Sequence, residues 1–103
     1  MSDVYTNAKN AVYIKLDSLD PDTIQQEIGI LVGVLVSGLE ELFPNREYKT
    51  VDRKEFLSQG ARDISKYIKE NEQTLSMKEL VAATTIVFTA SAVAEYMKEK
   101  NIE

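Results

Sequence analysis

The sequence predicts an all-α fold, a single four-helix antiparallel bundle over residues 1–103, and three kinds of observation lead there. Amphipathic runs with helical spacing recur along the chain, helix-start signatures stand at their heads, and no convincing pair of strands competes with them. The composition agrees: 103 residues with 44% hydrophobic and 28% charged side chains are those of one ordinary globular domain.

The first segment, about 3–17, is the ambiguous one. Val4, Ala8, Ala11 and Val12 read as a helix, whereas Val12, Ile14 and Leu16 alternate as a strand would. Helix is the expectation. The competing reading, a short strand over 11–17, needs Glu47–Val51 or its own copy as a pairing partner.

The second helix, about 21–43, opens at Asp20-Pro21, where proline suits the first helical position because its missing N–H has no partner there. Ile24, Ile28, Leu31, Leu35, Leu39 and Leu42 form its apolar stripe, and Phe43-Pro44 ends it. The third helix, about 53–72, begins at Asp52 with Glu55 three residues on, and buries Phe56, Leu57, Ala61, Ile64 and Ile68. The fourth, about 77–99, begins at Ser76 with Glu79 three residues on, and carries Leu80, Ala83, Val87, Ala90 and Ala94 beside Ile86, Val93 and Met97. Both starts have the spacing of a capping box. Apolar pairs Leu19/Ile24, Val51/Phe56 and Leu75/Leu80 stand where hydrophobic staples would close each start.

The absence of cysteine excludes disulfides, thiolate metal sites and a thiol nucleophile, and the absence of histidine removes the commonest general base and metal ligand. A non-enzymatic protein without cofactor or metal is therefore expected. Asp17–Asp22 resembles a calcium loop only in charge, for it lacks the glycine and the terminal glutamate such a loop requires. Glu27, Glu40 and Glu41 lack the histidines of carboxylate-bridged metal sites in bundles. No phosphate-binding loop or dinucleotide fingerprint occurs.

A net charge of −5 disfavours nucleic acid as a partner. The N-terminus lacks the features of a secretory signal, and the uncharged stretches Ile28–Leu39 and Leu80–Ala94 are short for a bilayer crossing. The expected setting is the cytoplasm, with membrane disfavoured.

Two regions stand out as candidate sites. Gly29, Gly33 and Ser37, with Ile30 and Val34 beside them, give the second helix an uncharged second face where a polar one is usual. Each glycine costs about 0.8–1 kcal/mol of helix propensity, so a close backbone contact is expected to offset it, either with the fourth helix or with another subunit. Separately, Arg46, Tyr48, Lys49 and Arg53 form the one locally basic stretch, a candidate site for a small anionic or phosphorylated ligand or an acidic partner surface. Tyr5, Tyr13, Tyr67 and Tyr96 are expected to lie at the rim of the core, with apolar rings inward and hydroxyls outward. The leading functional expectation is a helical interaction protein (an adaptor, inhibitor or regulatory subunit) acting as a homo-oligomer with a protein partner.

Overall fold

The computed structural model describes residues 3–47 and 52–103. It contains four helices: α1 Val4–Asp17, α2 Pro21–Leu42, α3 Arg53–Asn71 and α4 Met77–Lys100. The expected all-α bundle is present, and residues 11–17 are helix. Ile14 explains why the strand reading was tempting and why it fails. It is 70% exposed, so the true pattern is Val12 and Leu16 one turn apart on the core side.

The helix starts follow from local chemistry. The Asp20 carboxylate accepts from the Thr23 N–H at 2.8 Å with Pro21 in the first turn, and Ser76 and Glu79 close a complete capping box. These backbone N–H bonds, to Asp20 from Thr23 and to Glu79 from Ser76, hold both carboxyls below the usual carboxylate range. Asp52 caps α3 differently from the expected box. Its carboxylate accepts from the Lys54 N–H at 2.9 Å, one residue earlier than a box requires. The Val51 half of the staple proposed at this start lies outside the described residues. At the other end of the chain, Asn101 takes the left-handed conformation and the Ile102 N–H reaches back to the Met97 carbonyl, which folds Ile102 onto the core.

Helix directions can be read from the contacts. Along α1 and α4, Tyr5 meets Phe88, Lys9 meets Glu95, and Tyr13 meets Tyr96 and Glu99, so these two helices run in the same sense. α3 returns antiparallel to α4 after a tight turn, and α2 is antiparallel to α4. α2 and α3 run in the same sense, with Gln25 beside Arg53 and Leu35 against Gly60. After α2, Phe43 stacks edge-on to Tyr67 and Arg46 reaches Asp63, so the start of the connection lies against the C-terminal half of α3.

Leu35, Leu39, Leu57, Ala90 and Met97 are completely buried at the centre, with Ile28 and Ile64 beside them. Full burial of a side chain of leucine size stabilises by about 1.5–3 kcal/mol. The glycine that carries a close approach is Gly60 in α3. A Cβ placed there would stand 2.6 Å from Leu35 Cδ2, inside any real contact distance. Gly29, Gly33 and Gly38 have nothing within 4 Å of the same notional atom.

This contrast yields a prediction. Gly60→Leu should destabilise by about 1–3 kcal/mol despite better helix propensity, because the buried Leu35 has nowhere to go. Ser76→Ala should cost about 0.5–2 kcal/mol through loss of the cap. Urea denaturation of both variants measures the two effects, and a neutral Gly60→Leu would contradict the packing of Leu35 against Gly60.

Candidate functional site: an open apolar trough beside α2

The molecule measures 40 × 38 × 19 Å, a slab about two helices thick. In such a slab every helix keeps one side on the surface, and α2 and α4 have few charges with which to cover theirs. Between them runs a trough. Its upper part, about 320 Å³, has α1 as its far wall and is lined by Val12, Leu16, Ile30, Leu31, Val34 and Val93, with Lys15 and Glu27 at the rim. Its lower part, about 310 Å³, lies beyond the N-terminus of α1 and is lined by Gly38, Leu42, Ala82, Ala83 and Ile86, with Glu41 at its edge.

The cause is a mismatch of lengths. α4 has 24 residues and α1 has 14, about 36 Å against about 21 Å of helix. α1 therefore covers only the C-terminal half of α4. Met77 and Val81 on the first turns of α4 remain 74% and 56% exposed. Among the described residues α4 is the one helix long and apolar enough to cross a bilayer, although Ala90, Ala94 and Met97 on it belong to the core.

All five residues anticipated on the second face of α2 are exposed, Ile30 by 63% and Val34 by 47%. The fourth helix does not fill the space over Gly29 and Gly33, which is open. Ile30 and Val34 line the trough itself, whereas Gly29, Gly33 and Ser37 do not. Gly38, which the sequence reading passed over, does line it. The signal was available, because Gly38 stands one helical turn after Val34.

Of the basic stretch, the described residues Arg46 and Arg53 are engaged separately. Arg46 pairs with Asp63 at 2.9 Å and lies over the Phe43 ring, while Arg53 donates to Gln25 Oε1 at 2.6 Å and to the Glu103 carbonyl at 2.8 Å. Arg53 itself and Asp63, which holds Arg46, stand ten residues apart on α3, about 15 Å of helix. Tyr48 and Lys49 lie outside the described residues. Among the described residues no group of three or more potential metal ligands converges.

The tyrosines fix α1. Tyr13 packs edge-on to Tyr96 and donates to Glu99 at 2.8 Å, and Tyr96 donates to Asp17 at 2.7 Å. Tyr96 is buried beyond the rim position expected of it. Burial, reinforced by the carboxylate each phenol donates to, pushes Tyr13 well up and Tyr96 up to about 12. The chain matches no known family model, no curated protein and no solved structure.

The tyrosine geometry predicts an alkaline sensitivity. A phenol whose folded value is raised contributes stability fully present below the unfolded value of about 10 and lost as pH rises toward about 12. Urea midpoints should fall across that window, and Tyr13→Phe with Tyr96→Phe should flatten the fall. An unaltered pH profile in the double variant would remove these phenols as its cause.

Proposed function

We propose that this chain is a non-enzymatic helical interaction protein of the cytoplasm that works as a homo-oligomer, in the manner of an adaptor, inhibitor or regulatory subunit. The observation that carries the reading is the trough with its exposed apolar edge, Ile30 and Val34. The chain exposes 7088 Å². A compact monomer of 11.6 kDa exposes about 5,800 Å². The excess, about 1,300 Å², is of the order that one subunit covers in a stable dimer, about 800 Å² or more.

The composition supports the same reading. With neither histidine nor cysteine, and with its arginines engaged by neighbouring side chains, the surface offers apolar area rather than chemistry. An uncharged strip of this kind on a soluble helix is the usual mark of a protein contact.

Light scattering over a concentration series tests the proposal. The wild type should exceed the mass of one chain at micromolar concentration. Ile30→Glu should give a smaller species that is still helical by circular dichroism, because Ile30 is not part of the buried core. A wild type that remains monomeric at high micromolar concentration defeats the reading.

A further inference from the structure

We infer that the trough is filled by α2 of a second copy, lying antiparallel to the first α2 about a two-fold axis near Val34. This inference rests on the homo-oligomer reading above and specifies its geometry. Three observations point to it.

The first is the order of residues along the trough edge of α2. Glu27, Ile30, Val34, Gly38 and Glu41 succeed one another at intervals of three and four and share one flank of the helix. The order is symmetric about Val34: in an antiparallel pair centred there, Ile30 of each copy stands opposite Gly38 of the other. A branched side chain then meets a glycine over which the structure leaves open space. The notch and the knob that fills it belong to the same helix, as an isologous contact requires.

The second is charge. α2 carries acidic residues near both ends of this edge and no basic residue at all, so two such helices alone would oppose Glu27 to Glu41 of the partner. The trough walls supply the missing cations. Lys15 stands at the upper rim beside Glu27. Lys78 stands one helical turn before the lower-wall residue Ala82. The two-fold brings the upper end of one copy to the lower end of the other. Each end of the interface then gathers Lys15 and Glu27 from one copy with Glu41 and Lys78 from its partner, two positive and two negative charges. Glu79, the other acid of the lower trough, is already committed to the cap of α4.

The third is extent. α2 has 22 residues, about 33 Å, and the trough follows it from Glu27 to Leu42. A helix in this position also lies over Ala82, Ala83 and Ile86, on the lower part of α4 that α1 fails to reach.

The protein has no native cysteine, so single-cysteine variants report the geometry without background. Val34→Cys, close to the axis, should form a disulfide-linked dimer under mild oxidation, whereas Ile14→Cys on the outer face of α1 should not. Gly38→Leu should weaken the dimer at least tenfold while leaving the helix content unchanged or higher, because in one chain a Cβ at this position has nothing within 4 Å. Lys15→Glu and Glu41→Lys should each weaken association, and the two together should restore it. If the wild type is a dimer but Val34→Cys does not cross-link and the charge exchange does not rescue, the antiparallel α2 geometry is overturned and the homo-oligomer reading survives. If the wild type is a monomer in light scattering, both fall. A monomer that floats with phosphatidylcholine vesicles would overturn both in favour of a lipid surface as the occupant.

Discussion

Everything in this structure depends on covering α4. That helix carries apolar or small residues around most of its circumference, and it is the element against which α1, α2 and α3 all pack. α3 covers one side along nearly its full length. α2 covers a second side obliquely, anchored by Leu35 in the Gly60 notch of α3. α1 takes the third side but ends early. A helix of 24 residues flanked by one of 14 leaves about 15 Å of apolar surface without a cover. The slab shape, the excess surface and the trough are all expressions of that shortfall.

Much of this was legible in the sequence because it is local. Asp20-Pro21 and Ser76-Glu79 set two helix starts through atoms no more than three residues apart, and Phe43-Pro44 sets an end by sterics alone. The stripes Ile24/Ile28/Leu35/Leu39 and Phe56/Leu57/Ala61/Ile64 became the core because period and burial are the same fact seen twice. The unusual second face of α2 was also visible, since a charge-free face on a helix leaves its mark in composition.

What was not legible depends on partners distant in sequence. Gly60 looks like an ordinary helix glycine until Leu35, twenty-five positions earlier, is placed over it. Gly29 and Gly33 looked like the tight positions because glycine spacing is readable and the neighbour is not. The arginines of the basic stretch invited an anion because side-chain chemistry is readable, while Asp63 and Gln25, which in fact engage Arg46 and Arg53, become neighbours only on folding. The direction of α2 relative to α3 likewise rests on contacts such as Gln25 with Arg53 and Leu35 with Gly60, which no local rule fixes.

The attachment of α1 has a consequence for the order in which the molecule assembles. Its ties to α4 are two aromatic pairs, a lysine–glutamate bridge and phenol–carboxylate bonds, and Leu16 is its one buried residue. These ties join residues about eighty positions apart, so forming them closes the longest loop in the chain for a modest return. The α3/α4 hairpin closes a short loop and gains most of the core at once. Early folding therefore belongs to the C-terminal half, with α2 settling onto it and α1 docking last. In the native state the same imbalance makes α1 the segment that opens most readily, so its amides should lose hydrogen-exchange protection well before those of α3 and α4.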